Sequence, residues 1–391
     1  MEKTMRKEFD EMVAAGELPG AIAGVVRDGK ILDWVVVGMQ DIAKGTPLTE
    51  DSIFRLYSMS KPITSVAIMM LAEQGKLSID DPATRFLPEF EAMHVYVGGE
   101  FDDMQTEPVR RPITIRDLLT HSSGLTYPFK GATPVHQYYR QYGVQRATPI
   151  GRMPDDAPPA SSLDELIARL GKAPLLYQPG KQFEYSFSTT VLGAIVARAG
   201  EESLDRFLER HIFAPLGMTD TGFFIEDKDL NRFVTNYMAT GSGIAPIETP
   251  EESDYRDHHR LLDGGGALAG TARDYLRFAQ MIANNGTLDG VRILSEQSID
   301  AMLTPHVTGF DITFQPIPFG YGFALGDATS DANDSQPEGT ASWAGSANTY
   351  FWADRRTRTV ALLMTHVLTM PERMLHVRQI FNRTAKTFLA K

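Results

Sequence analysis

The sequence predicts a mixed α/β fold of the α+β kind. One antiparallel sheet is assembled from both chain termini and flanked by helices, and a mostly helical region is inserted between its halves. Three observations predict it. Two apolar runs near the start, Ala21–Arg27 and Lys30–Val37, are joined by Asp28-Gly29, a strong short-range hairpin signal. Strand-like runs return in the last quarter, where Ser342–Trp352 and Thr359–Thr365 read as an antiparallel pair linked by Asp354-Arg355-Arg356. Between them the pattern is predominantly helical, with strongly apolar stretches at 62–74 and 188–200. The chain then reads as a single unit, 1–391, with an α/β part in 1–60 plus 260–391 and a helical part in 61–259.

Taken in order, residues 3–16 form an amphipathic helix with Met5, Phe9, Met12 and Val13 on one side. After the hairpin, the extended run Ile53–Tyr57 leads into a helix over Pro62–Gln74, apolar nearly all round and therefore buried. Within it Met69-Met70 reads as core filling. Residues 78–90 make a polar, proline-containing connection. Thr114-x-x-Asp117 is a capping box opening the short helix Ile115–Thr120. From about 127 to 161 the chain is rich in Tyr, Pro, Gly and Gln without periodicity, which predicts a long loop or short-helix insertion. Ser162 caps the next helix, and Gln178-Pro179-Gly180 turns the chain before Tyr185. Helices follow at about 188–200 and 203–213. Residues 240–257, acidic and polar, read as a surface loop. Thr271-x-x-Asp274 starts a helix running to about Asn284. Gly322–Gly326 is read as the first late strand, Asp327–Thr340 as loop or disorder, and 371–389 as the closing helix.

Composition narrows the functional classes. With 42% hydrophobic and 23% charged residues, the chain has ample material for a core and is an ordinary soluble globular protein. A net charge of -12 argues against nucleic acid or an anionic membrane as partner, since both call for basic patches. The absence of cysteine rules out disulfides, thiolate metal sites and a cysteine nucleophile. No apolar run in the first twenty residues is long enough for a signal peptide, and no stretch matches a membrane span, so a cytoplasmic location is expected.

The chemistry centres on Ser58-Met59-Ser60-Lys61. Ser58 falls at a helix N-terminus, where unpaired N–H groups and the helix dipole favour developing negative charge. Lys61 is one turn on, on the same face. An alcohol needs an adjacent base to act as a nucleophile near neutral pH, and a desolvated lysine can serve. Ser and Lys are common, so this spacing alone is also what a capping serine and a solvated first-turn lysine would give. Two further stretches add weight. Tyr185 follows a Pro-Gly turn in a segment too short for a normal strand, and a buried phenol beside an ammonium can act as a base. Trp343-Ala344-Gly345-Ser346 lies on an expected strand, where Gly345 leaves room for another backbone or a ligand.

Together these elements resemble the serine β-lactamase and penicillin-recognising superfamily, closest to its class C β-lactamase-like branch and within that to the family VIII carboxylesterases. The resemblance spans nearly the whole chain and includes Leu118-Leu119-Thr120-His121-Ser122-Ser123-Gly124-Leu125, Phe183-x-Tyr185-Ser186 after Pro179-Gly180, Pro215-Leu216-Gly217-Met218, Gly264-Gly265-Gly266 and Trp343-Ala344-Gly345. It implies that Ser58 is the nucleophile, that Lys61 and Tyr185 share the proton relay, and that the backbone N–H groups of Ser58 and Ser346 form the oxyanion hole. The departures carry information too. Where the β-lactamases place an amide-binding Asn this chain has Phe187, and where they place a carboxylate-binding Lys it has Trp343. Both changes favour neutral esters over anionic β-lactams and peptides.

The resulting expectation is a serine carboxylesterase for short- to medium-chain esters, working through an acyl-enzyme with no cofactor and no metal. Its partner is a small-molecule ester, and Trp343, Gly345, Phe187 and Tyr127 are the expected substrate-binding residues. A β-lactamase, a D-amino-acid peptidase or an acyltransferase with the same machinery are the enzymatic alternatives, and a non-catalytic penicillin-recognising protein is the alternative of another class. Intact Ser58, Lys61 and Tyr185 argue against the last. Of the weaker signals, His121 reads as a structural hydrogen-bonding residue, since no G-x-S-x-G accompanies it. His258-His259 reads as polar loop, Gly264–Gly266 as a turn that can border the site, and Arg110-Arg111 and Arg355-Arg356 as solvated charge pairs. Tyr138, Tyr139 and Tyr142 are placed in either the pocket or the packing.

Overall fold

In the computed structural model, which describes residues 4–147, 155–241, 243–310 and 315–389, a nine-stranded sheet runs through the molecule. Its order is 307–310, 316–319, 324–325, 341–344, 350–354, 359–365, 20–27, 30–41 and 46–47, with antiparallel pairing at each step. The join between the termini lies in the middle, where Ala21 to Arg27 pair with Thr365 to Thr359. At the Asp28-Gly29 turn both residues have positive φ, 48° and 74°. This is the backbone that a two-residue hairpin needs and that Asp-Gly supplies. The helix Met5–Ala14 packs its Met5, Phe9 and Met12 on one face of the sheet beside Val377 and Phe381 of the helix Pro371–Ala385. The opposite face meets the helix Ala272–Ala283, whose Tyr275 ring lies edge-on to Phe351.

The inserted region is organised around the helix Ser60–Glu73, in which eleven of the residues from Ser60 to Leu71 are buried. It packs on the helix Ser188–Gly200, also buried along most of its length. The expected capping box is in place: Thr114 accepts from Asp117 N–H, while Asp117 reaches back to Thr114 N–H at 2.9 Å.

Several segments differ from expectation for identifiable reasons. Residues 240–257, expected as a surface loop, include the strand Gly243–Glu248, which pairs with Asn236–Thr240 and through it with Val367–Leu368. Glu248 supplies the counterion, at 3.0 Å, that the fully buried Arg55 guanidinium requires. A two-stranded sheet, His94–Gly98 with Gln105–Pro108, also falls inside the stretch expected to be mostly helical. Ser342–Trp352 is not one strand but two, Ala341–Ala344 and Tyr350–Asp354. The turn between them is closed by Gly345 N–H to Thr349 O at 2.8 Å, with Asn348 in the left-handed region. The strands Val307–Phe310 and Pro316–Phe319 went unread because Pro316 and Pro318 suppress the strand signal. Asp327–Thr340 holds a capped helix, Ala328–Ala332, and is fastened by the buried Gln336 amide, which donates to Thr340 O and accepts from Ser342 Oγ. Arg111 and Arg355 are not merely solvated: Arg111 grips Asp117 with two nitrogens, and Arg355 pairs with Asp300. Of the 127–161 insertion, Pro134–Gln141 is helix, and 148–154 lie outside the described residues.

Two predictions follow from this packing. A Cβ at Gly345 would stand 2.2 Å from Thr349 Oγ1 and 2.5 Å from the Leu56 carbonyl. Gly345→Val is therefore expected to lower stability by about 1–3 kcal/mol, read as a lower urea midpoint, and an unchanged midpoint would contradict the close approach. Burial holds the His366 imidazole down at about 3, against its ordinary 6.5, with Nε2 on Met39 O at 3.1 Å. The unfolded chain takes up a proton here below pH 6.5 and the folded chain does not. This contribution is therefore present above that pH and is lost on acidification towards 3, at about 1.4 kcal/mol per pH unit. Denaturant titrations from pH 7 to 5 should show a shallower decline for His366→Gln than for the wild type.

Candidate active site

Ser58 sits in a 3₁₀ turn, Tyr57–Met59, that runs straight into the helix Ser60–Glu73. The strand Ile53–Arg55 reaches this turn through Tyr57, whose φ of +47° is rare for a bulky residue and marks a sharp, strained elbow. The elbow is fastened on several sides. Ser60 Oγ donates to Tyr57 O at 2.7 Å and accepts from Leu268 N–H, Leu56 N–H bonds Leu268 O at 2.9 Å, and Asn236 Nδ2 donates to the Tyr57 hydroxyl at 2.7 Å. The end of strand Ala341–Ala344 closes over it at Gly345, which passes so near Leu56 O that no side chain fits.

The spacing of three on one helical face brings Lys61 Nζ to 3.1 Å from Ser58 Oγ. Lys61 is buried, and its Nζ also donates to Gly265 O at 2.6 Å. The Tyr185 hydroxyl lies 2.7 Å from Ser58 Oγ, and Lys61 Nζ stands 4.7 Å from the centre of the Tyr185 ring. Ser58 Oγ thus has an amine and a phenol within hydrogen-bond reach, an arrangement able to take and return a proton during attack on a carbonyl.

Tyr185 is held by the segment Thr120 to Leu125. His121 O accepts from Glu184 N–H at 2.7 Å, and Ser123, Ser188 and Ser186 form a hydroxyl chain with 2.8 Å links. His121 has a left-handed backbone, φ +53°, and its ring lies 4.9 Å from that of Tyr185 with Nδ1 near Ser186 Oγ. Burial first, then the charges of Lys61 and Lys130, push its imidazole well below the ordinary range. It is a neutral brace on the tyrosine loop and does not touch Ser58.

Ser58, Lys61 and Tyr185 line a cavity of about 800 Å³. Trp343, Gly345, Phe187 and Tyr127, the residues singled out in the sequence, all line it, as does Ser346. The Trp343 ring packs 5.6 Å from Tyr185 and 5.3 Å from Phe319. Phe187 meets Tyr127 edge-on at 4.5 Å, and burial followed by the neighbouring Tyr185 and Asp263 pushes the Tyr127 phenol well up. Ser346 lies in the turn beyond the strand and not on it. Of the remaining tyrosines, Tyr139 is buried near Phe187, while Tyr138 and Tyr142 stack on each other away from the cavity. His258 is on the surface beside Glu226 and Phe224.

Sequence reading missed the Arg146–Asp263 ion pair, 2.9 Å, and the role of the glycine run beside it. Asp263 shows a signal, since it directly precedes Gly264–Gly266. Arg146, inside an aperiodic insertion, shows none. It also missed Phe129, Lys130, Phe310 and Arg378 at the cavity wall, which come from segments far apart in sequence.

Comparison with known proteins shows the family. A family model described as Beta-lactamase matches residues 5–383. Protein Rv1367c of Mycobacterium tuberculosis (strain ATCC 25618 / H37Rv) is 35% identical over 377 residues, covering 90% of this chain and 87% of its own. Esterase EstB of Burkholderia gladioli is 32% identical over 378 residues, covering 92% and 88%. Among solved structures EstCE1, described as a hydrolase with promiscuous acyltransferase activity, superposes with a TM-score of 0.79 at 25% identity, covering 96% of each chain. With a match over nearly its whole length and relatives above 30% identity, the chain belongs to the beta-lactamase family, as a serine hydrolase-type enzyme of that fold.

Proposed function

We propose that the protein is a serine carboxylesterase of the family VIII type, hydrolysing neutral esters with short- to medium-chain acyl groups through an acyl-enzyme on Ser58. The observation that carries this reading is the contact of one serine hydroxyl with both a buried lysine, at 3.1 Å, and a tyrosine, at 2.7 Å, inside the cavity. Ser58 Oγ attacks the ester carbonyl as its proton passes to the Lys61–Tyr185 pair. The pair returns that proton to the departing alkoxide, which leaves as the alcohol. Water, deprotonated by the same pair, then attacks the acyl carbon and releases the acid with Ser58 restored. The backbone N–H groups of Ser58 and Ser346 are the proposed oxyanion donors, worth a few kcal/mol each.

Trp343, Phe187 and Tyr127 support the choice of neutral esters. They offer aromatic surface where the resembling β-lactamases present a lysine and an asparagine, and the cavity volume is in the range of small-molecule sites. In this reading the whole chain, 1–391, is one catalytic unit. Its α/β part supplies Ser58 and Trp343 to Ser346, and its helical part supplies Lys61, Tyr127, Tyr185 and Phe187. Acyl transfer to an alcohol is a second reading, favoured by the similarity to EstCE1, described as a hydrolase with promiscuous acyltransferase activity.

The test is hydrolysis of p-nitrophenyl acetate, butyrate and octanoate beside a chromogenic cephalosporin, with and without added alcohol. Ester turnover is expected to exceed cephalosporin turnover and to fall about 10³-fold or more in Ser58→Ala. A cephalosporin turned over faster than every ester would instead make the protein a β-lactamase. Tyr185→Phe and Lys61→Ala are each expected to lose about 10²–10⁴-fold in kcat. Because the two act on one proton, the double variant should lose little more than the worse single, and additive losses would show that they act separately.

A further inference from the structure

We propose that Asp263, paired with Arg146, is a positioning residue for Ser58 chemistry: it fixes the Gly265 carbonyl that holds Lys61 and sets the charge that Lys61 and Tyr185 experience. The inference rests on the reading of Ser58, Lys61 and Tyr185 as the catalytic group.

The loop from Asp263 to Gly266 is tied down almost atom by atom. Asp263 Oδ1 accepts from Gly265 N–H at 2.7 Å and from Thr190 Oγ1 at 2.6 Å. Asp263 O accepts from Gly266 N–H at 3.1 Å, which fixes the peptide plane that contains the Gly265 carbonyl. Arg146 Nε pairs with Asp263 Oδ2 at 2.9 Å, and another of its nitrogens reaches Gly266 O at 3.3 Å. From the other side Thr64 Oγ1 donates to Gly264 O at 2.7 Å. The glycines are required by space: a Cβ on Gly265 would stand 2.7 Å from Thr190 Oγ1, and one on Gly264 2.8 Å from Thr64 Oγ1. The Gly265 carbonyl of this loop is the 2.6 Å acceptor of Lys61.

The charges around Lys61 give the arrangement a measurable sign. Facing Lys61 Nζ are the phenols of Tyr185 and Tyr127, and its charge is felt by the enclosed, neutral His121. The Lys130–Glu184 ion pair sits farther along the cavity wall. The Arg146–Asp263 pair is the charged couple in the wall beside Gly265. Removing its negative member leaves a guanidinium that favours the deprotonated form of whichever group, Lys61 or Tyr185, carries the relayed proton. Removing the positive member does the opposite.

The test is the pH profile of kcat/KM for p-nitrophenyl butyrate. Asp263→Asn keeps an oxygen for Gly265 and Thr190 but loses the charge. Its kcat is expected to fall about tenfold or more, KM is expected to stay within about twofold, and the acid limb should move to lower pH by about half a unit or more. Arg146→Gln should move the limb to higher pH, and the double variant should bring it back towards the wild-type position. A purely structural role would lower kcat without moving the limb, and limbs that stay fixed or move the same way in both single variants would overturn the proposal. Should Asp263→Asn fail to fold, the direction of the Arg146→Gln displacement decides alone. Ser58→Ala in the same assay separates the two readings. Turnover that survives it defeats the Ser58 assignment, whereas turnover lost in Ser58→Ala with unmoved limbs defeats only this inference.

Discussion

The ammonium of Lys61 is the constraint around which the rest of the molecule is arranged. A lysine so enclosed carries a desolvation cost of several kcal/mol unless its N–H groups find acceptors. The acceptors present are Ser58 Oγ and Gly265 O, with the faces of Tyr185 and Tyr127 nearby. Each comes from a different stretch of chain, so satisfying one buried cation requires four segments to meet at one point. The largely buried helix Ser60–Glu73 provides the fixed platform. The loop from Asp263 is fastened to it through Gly264 O and Gly265 O, the tyrosine loop bonds Ser58 just ahead of it, and Tyr127 lays its ring towards Lys61.

That economy explains which parts of the fold are legible in the sequence. The meeting of Ser58 and Lys61 is local, set by a spacing of three on a helix, and can be read without knowing anything else. The terminal hairpin is local as well, written in Asp28-Gly29. The joining of 20–27 to 359–365 is not local, yet it follows from where strand-like and helical periodicity fall along the chain. Tyr185 is legible through the motifs that flank it, because the turn at Pro179-Gly180 and the serine-rich segment from Thr120 are chemically distinctive.

What escapes is what depends on a partner distant in sequence. Glu248 looks like one more solvated acid until Arg55 is seen buried beneath it. Gln336 reads as part of a polar, disordered run, although its amide stitches three segments together. Arg146 has no periodicity around it, and only the fold shows that it meets Asp263. Polar residues score as exposed in any local reading, and their burial is decided by the group across from them. The turn at Gly345 to Thr349 escapes for a related reason: a left-handed asparagine interrupts a run that is apolar enough to pass for one strand.

The seam in the middle of the sheet bears on how the protein is made. Synthesis delivers the hairpin 20–41, Ser58 and Lys61 long before residues 359–365, the neighbour of strand 20–27 on its other side. Contacts of such sequence separation form slowly, since the intervening chain must be closed into a loop first. Until then strand 20–27 has an open edge, and the turn at Gly345 that caps the Ser58 elbow has not been made. The segment that carries the nucleophile is therefore made well before the strand and turn that complete its surroundings, and the site is finished only once residues 359–365 have joined the sheet.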